Sequence, residues 1–297
     1  MSWIFLGILS HIFWGTANIL DKYIVSNRIK NVYVFFLITT IIGLLSLLLI
    51  PFIEFKLPSW ETMQWILLAG LSYTLGIIAY FKALEIEEVS RINVWWNLIP
   101  VFTLVLAWLT IGETLTSSQL FAMMMLLGGA VLASLHFGQK RIIQAKALGY
   151  IAFACSASAI YAVIIRNISD IVSLPVLFIL ISVIKFIISL VFFLSRSFCR
   201  DFRIALQDMK LPLYSVVIVA TVIDYLGIWF NQWALSRGPA ALVFSLEGFQ
   251  ALFVFFVSLI LTKFWPNLLQ EKIDVKNLTI KCAAVICMIF GILLLAQ

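Results

Sequence analysis

The chain has 297 residues, 63% of them hydrophobic and 11% charged, with 20 basic against 14 acidic side chains and a net charge of +6. Soluble domains run about half apolar and about a quarter charged, so this composition excludes a disordered chain, a disulfide scaffold and a cytosolic enzyme. It is the composition of a polytopic membrane protein, and basic residues flanking membrane spans account for the positive balance without a nucleic-acid partner.

The first apolar run has no basic segment before it and no small-residue cleavage site after it, and Asp21 and Lys22 close it. It reads as a retained helix rather than a signal peptide. Apolar runs bounded by charge, Pro or Gly fall at 3–21, 32–51, 62–82, 92–111, 118–136, 147–166, 175–195, 212–235, 240–262 and 277–296. Each is about 20 residues, enough for a helix to cross roughly 30 Å of hydrocarbon. The bilayer centre offers no water to unpaired backbone groups, so runs of this length are predicted to be helices. The expected fold is an all-α integral membrane protein of ten transmembrane helices. Only Ser197–Leu211 and Phe264–Lys276 are long connections, and both read as charged loops.

The chain looks duplicated. Leu6-Gly7 corresponds to Leu148-Gly149, Lys22 to Arg166, Ala83-Leu84 to Ala234-Leu235, and Gly129 to Gly291. Five spans per copy is an odd number, so the second copy must enter the membrane inverted. Two inverted five-helix repeats, 1–142 and 143–297, are therefore predicted, an architecture that places a transporter's working site between the halves. Loops after the odd-numbered spans hold most of the loop Lys and Arg, among them Arg28, Lys30, Lys140, Arg200 and Lys210, whereas loops after the even-numbered spans hold only Lys56 and Arg237. That bias puts the odd-numbered loops in the cytoplasm and both termini outside, for a bacterial-type inner membrane.

Three charged residues lie deep in apolar runs, Lys185, Asp224 and Glu247, and His11 is the histidine so placed. A central charge costs about 2.5–3.5 kcal/mol on insertion scales, so these groups must be paired, neutralised or wet. Helical spacing puts polar groups on single faces. His11, Trp14, Asn18 and Lys22 share a face of span 1, Asn93, Trp96, Asn97 and Pro100 one of span 4, Thr221, Asp224 and Asn231 one of span 8, and Glu247 and Gln250 one of span 9. Four apolar helices, each with one polar stripe, are what a water-filled pathway requires. Trp14, Tyr73, Tyr80 and Trp96 are candidate walls. Substrate binding and coupling are thus assigned to His11, Trp14, Asn18, Tyr73, Tyr80, Asn93, Asn97, Lys185, Asp224, Asn231, Glu247 and Gln250. Against this stand structural readings: a static Lys185–Glu247 or Lys185–Asp224 bridge, helix-joining amides, and a His11 bonded to a backbone carbonyl. Apolar surroundings favour a carboxylate's neutral form, which suits Glu247 or Asp224 to exchange a proton in each cycle.

The four cysteines form no CxxC pair and read as small apolar residues. Gly128-Gly129 with Ala133, and Ala283, Ala284 and Gly291, read as helix-packing surfaces.

Several stretches resemble the drug/metabolite transporter superfamily, specifically its ten-helix EamA-type members. Trp14-Gly15 with Asn18 and Lys22 looks like that family's first-helix pattern. Tyr80-Phe81-Lys82-Ala83-Leu84, Glu88-Val89-Ser90, Pro100 to Thr103 and Gly112-Glu113-Thr114-Leu115-Thr116 are similar to its third-to-fifth-helix signature. Ile160 to Val163 with Arg166, and Glu271, look like weaker copies. The resemblance implies two inverted repeats around a cavity lined by spans 1, 3, 4, 6, 8 and 9, and export or import of small metabolites. The chain departs from the pattern at the end of span 9, where Leu261-Thr262-Lys263 stands in place of a Gly-Glu pair, and in termini that the charge bias places outside.

The first reading is a secondary transporter, an exporter of an amino-acid-like or carboxylate- or phosphate-bearing metabolite, working by alternating access as a monomer or weak homodimer. Arg166 or Lys22 at the cavity ends would serve such an anionic group beside Lys185. The second is a flippase for a lipid or a lipid-linked sugar. No metal cluster, nucleophile–base pair or phosphate-binding glycine loop points to an enzyme or a cofactor.

Overall fold

The computed structural model describes residues 2–27, 29, 31–84, 86, 95–134, 145–208, 211–264 and 275–295. Among them the regular structure is entirely helical: α1 Trp3–Asn27, α2 Val32–Gly43, α3 Trp60–Leu84, α4 Ile99–Ile111, α5 Ser117–Ser134, α6 Ala145–Ile168, α7 Leu174–Ser189, α8 Arg196–Asp208, α9 Leu211–Leu235, α10 Ala240–Ser245, α11 Gly248–Phe264 and α12 Val275–Leu295. Tight 3-10 turns, Leu44–Phe52 and Leu190–Leu194, prolong α2 and α7. Six spans are long and apolar enough to cross a membrane: Trp3–Asp21, Val32–Phe52, Trp60–Ala83, Ala145–Ile168, Leu174–Leu194 and Leu213–Leu235. Shorter apolar helices occupy Ile99–Ile111, Ser117–Leu132, Ala240–Val254 and Cys282–Leu295.

The long helices pack in pairs, α1 along α9, α3 along α6 and α5 along α12, with α4 lying against both α6 and α10 and α1 against α11. In lipid such pairing depends on close packing rather than on the hydrophobic effect, so small residues mark the contacts. A Cβ added to Gly129 would stand 2.7 Å from Met288 Cγ and 3.0 Å from the Ala284 carbonyl, and one added to Gly227 would stand 2.6 Å from Trp14 Cδ1. The expected small-residue surface on α5 is therefore real at Gly129. On α12 it runs through Ala284 and Gly291, while Ala283 points outward. The cysteines are free thiols and only partly fit the reading of small buried residues: Cys155 is buried, Cys199 and Cys287 are half-buried, and Cys282 is exposed.

Two expectations are corrected. The stretch 197–211 is not a loop: Arg196–Asp208 is the helix α8, begun by Ser195, whose Oγ accepts the Phe198 N–H at 3.4 Å. Its charges hide a buried face of Phe198, Phe202 and Ala205 that packs with Val34 and Phe35. The run 240–262 is not one helix either. It breaks at Leu246-Glu247 between α10 and α11, ahead of Gly248. A similar break at Asn97-Leu98 precedes α4, where Pro100 at the helix start has no N–H to give to a preceding turn.

Candidate functional site

The polar residues singled out by spacing fall into two groups. The first surrounds Lys185 on α7, which is only 4% exposed. Its Nζ lies 4.5 Å from the Tyr225 ring centre and 4.9 Å from that of Tyr73, so two π-faces hold the ammonium from α9 and α3. Asp224, one residue before Tyr225 and half-buried, acts electrostatically on Lys185, on Tyr73 and on Asp21 at the end of the α1 span. The static bridge that stood as the structural alternative does not form: among the described residues neither Asp224 nor Glu247 comes within 4.0 Å of Lys185. Aromatic faces, and not a bridging carboxylate, hold the ammonium.

The second group lies where α1 meets the break between α10 and α11. His11 is buried; its Nδ1 faces Gln250 Oε1 at 3.4 Å, and the Val243 backbone also acts on the ring, as the backbone-bonded reading expects. Its Nε2 has no protein hydrogen-bond partner, and the Trp14 ring stands edge-on 5.4 Å away. Glu247 sits in the break itself. Its Oε2 is buried with no protein partner, and its charge acts on Tyr80 and Cys155. Tyr80 stacks obliquely on Trp96 at 5.1 Å, beside the other break, where Asn97 is buried.

Asn231 on α9 is fully buried, and neither of its amide atoms has a protein partner. Asn18 is half-buried on α1. Asn93 lies outside the described residues, as does the side chain of Lys22. The structure adds groups that spacing did not single out. Tyr161 on α6 packs 4.9 Å from Tyr73 and accepts the Gln232 Nε2–H at 3.0 Å, while Gln232 Oε1 and the Tyr225 hydroxyl stay buried without protein partners. Asp21 was legible, since it falls three residues beyond Asn18 on the same face. Gln232 was not, because its neighbour Asn231 already satisfied the stripe.

A buried polar atom costs free energy unless something satisfies it, and among the described residues α1, α9 and the α10–α11 break together hold six that no protein group satisfies. Together they can offer a small solute a cation at one pole, a carboxylate and an imidazole at the other, and amides and hydroxyls between. Among the described residues no cluster of His, Cys, Asp and Glu is arranged to hold a metal.

One end of these helices carries an ionic network. Gly112, at φ +65°, closes α4 in the left-handed conformation that favours glycine and delivers Glu113 to the start of α10. Glu113 Oε1 accepts the Ala240 N–H at 2.9 Å, and Oε2 lies 3.5 Å from Arg166 Nε at the end of α6. Arg166 Nη1 also donates to the Ser236 carbonyl at 3.5 Å. Arg166, expected at a cavity end as a partner for substrate, is committed to Glu113. Burial raises the proton affinity of the Glu113 carboxyl above its ordinary value, against the opposing pull of the Ala240 N–H and of Arg166.

A model of the EamA-like transporter family matches residues 1–135. No curated protein matches the chain. A solved structure described only as "Crystal structure of protein" superposes with a TM-score of 0.70 at 15% identity, covering 98% of this chain and 95% of the other. At that identity the likeness concerns the fold alone.

Proposed function

We propose, from the match of residues 1–135 to the EamA-like transporter family, that the chain is a multi-pass membrane transporter of the drug/metabolite type and that it exports a small polar metabolite by alternating access between two inverted five-helix repeats. The observation that carries the reading is the set of buried polar groups without protein partners, His11 Nε2, both Asn231 amide atoms, Glu247 Oε2 and the Tyr225 hydroxyl, on helices from both ends of the chain. A polar solute passing between the repeats would satisfy them in turn. An amino-acid-like solute would set its carboxylate, or a phosphate in its place, against Lys185 and its ammonium against Glu247.

The helix pairing supports the inverted repeat. If α1 to α5 correspond to α6, α7, α9, α10–α11 and α12, the pair α1·α9 becomes α6·α3, α1·α11 becomes α6·α4, and α5·α12, α2·α7 and α4·α10 map onto themselves. Each of these pairs is present. The six long spans and four shorter apolar helices support a total of ten spans. The two breaks, at Asn97 and at Glu247, occupy corresponding spans of the two repeats, and discontinuous helices at corresponding positions mark transporter binding sites. The proposed repeats are 1–142 and 143–297, in a bacterial-type inner membrane with the odd-numbered loops cytoplasmic. On that orientation the Glu113–Arg166 network closes the non-cytoplasmic end.

Glu247, uncompensated in an apolar setting, is proposed to carry a coupled proton. The test uses proteoliposomes holding a pH-sensitive dye, with pooled amino acids and organic anions added outside, for the wild type and Glu247→Gln. Proton movement that needs both a solute and Glu247 is the expected result. A solute-dependent signal unchanged in Glu247→Gln removes Glu247 from coupling. No solute-dependent signal or uptake in folded wild-type protein would favour lipid handling.

A further inference from the structure

The helix α8 runs between the end of the α7 span and the start of α9, and nothing in the transport reading uses it. One side of it is firmly docked. Phe198 and Phe202 stack at 6.1 Å, Phe192 and Phe193 pack on Phe198 at 5.5 and 5.4 Å, and Asn31, which caps α2, donates through Nδ2 to Asp201 Oδ2 at 2.9 Å. At 100° per residue the opposite side is a stripe. Arg196, Arg200 and Arg203 fall within a sector of about 60°, with Ile204 and Leu206 about 80° to either side of Arg196. All five are exposed, and Leu194, just before the helix, is 85% exposed. Arg200 touches Asp201 at 3.4 Å, but that contact is solvent-facing and weak, so its charge stays available.

We propose that α8 lies in the membrane–water interface and that its Arg196, Arg200 and Arg203 stripe binds the headgroups of anionic phospholipids. Charge complementarity selects an anion, and the flanking apolar groups select the lipid. A free anion or an acidic protein would cover the arginines and leave Leu194, Ile204 and Leu206 in water, whereas a phospholipid covers both at once, its phosphate on the guanidinium groups and its upper acyl chain on the leucines and isoleucine. Ile187 and Val191, towards the end of the α7 span, are exposed as well, so apolar surface immediately precedes the helix in the chain. Guanidinium suits this task because it makes paired hydrogen bonds to phosphate oxygens. Docked through Phe198 and Asp201 to α2 and to the end of α7, the helix would tie the start of α9 to the bilayer surface while the central helices move.

The test uses full-length protein reconstituted in mixed phosphatidylcholine and phosphatidylglycerol, extracted in mild detergent and examined by native mass spectrometry. The expected result is retention of phosphatidylglycerol over phosphatidylcholine, falling roughly fivefold for each arginine replaced in the series to R196Q/R200Q/R203Q. The triple Arg→Lys variant should keep most of the preference, and high salt should lower it in the wild type. Inorganic phosphate added as competitor should leave the phosphatidylglycerol adducts in place. Equal retention of both lipids by the wild type, preference unchanged in the triple glutamine variant, or displacement by inorganic phosphate would each overturn the proposal. If the glutamine variant does not fold, the salt series on the wild type decides, and a preference indifferent to salt overturns it.

Discussion

Glu113 and Arg166 meet at 3.5 Å although 53 positions separate them in the chain, and the same carboxylate accepts the Ala240 N–H at 2.9 Å. Four helix ends, those of α4, α6, α9 and α10, are thereby held by two side chains. A charge-assisted contact of this kind contributes about 1.5–3 kcal/mol, so its loss should shift an opening equilibrium by roughly tenfold or more. Cys155, buried on α6, is a native reporter of such opening. In a background with Cys199, Cys282 and Cys287 replaced by Ser, Glu113→Gln should raise the rate at which a membrane-impermeant thiol reagent modifies Cys155 by that factor. An unchanged rate would show that the network is not a closure.

The same residue sets a pH dependence. Because burial makes the Glu113 carboxyl bind its proton more tightly folded than unfolded, its contribution to stability is complete below the ordinary carboxylate value of 4.5 and is lost as pH rises through the raised one. The melting temperature of the wild type should therefore fall relative to Glu113→Gln across that interval and run parallel above it. A difference that grows with pH in the opposite sense would mean that Arg166, not burial, governs the carboxyl.

Tyr225 separates stability from function. Its ring covers Lys185 at 4.5 Å, while its buried hydroxyl has no protein partner. Tyr225→Phe keeps the ring and removes an unpaired polar atom, so the melting temperature should be unchanged or higher. Transport should nevertheless weaken several-fold in KM, since the hydroxyl is left for the solute. Wild-type KM in this variant would take Tyr225 out of the binding site.

Adjacent glycines on α5 give opposite predictions. A Cβ on Gly128 meets nothing within 4 Å, whereas one on Gly129 meets Met288 and the Ala284 carbonyl. Gly128→Ala should be neutral or stabilising by up to about 1 kcal/mol through helix propensity. Gly129→Ala should destabilise by about 1–3 kcal/mol through overpacking against α12. Thermal unfolding in one detergent checks both, and equal effects would place the α5–α12 contact elsewhere.

The positions of the six long spans were legible because a bilayer demands long, uninterrupted apolar runs, and over about 20 residues a helix is what satisfies the backbone there. The run 147–166 became Ala145–Ile168 and 175–195 became α7 with its 3-10 extension. Membrane character and the helical placement of His11, Lys185 and Asp224 followed from the sequence by itself, whereas Glu247 sits in a break and not on the helical face that spacing gave it. The docked helix α8 escaped notice because three arginines masked the four-residue spacing of Phe198 and Phe202, although Ser195 stood where an N-cap stands.

Periodicity states which face a residue occupies but not what lies across from it. Only the tertiary structure decided that Lys185 rests on Tyr73 and Tyr225 instead of on a carboxylate, that His11 faces Gln250, and that Glu113 reaches Arg166 and Ala240. Those partners come from helices distant in sequence, and in lipid their meeting depends on close steric fit at places such as Gly129 and Gly227; a small-residue pattern marks Gly129 as a contact, but nothing local names the helix it meets. The break at Leu246-Glu247 belongs with them. Apolar composition runs straight through it, and the backbone can interrupt its helix at that depth because protein, not hydrocarbon, surrounds it.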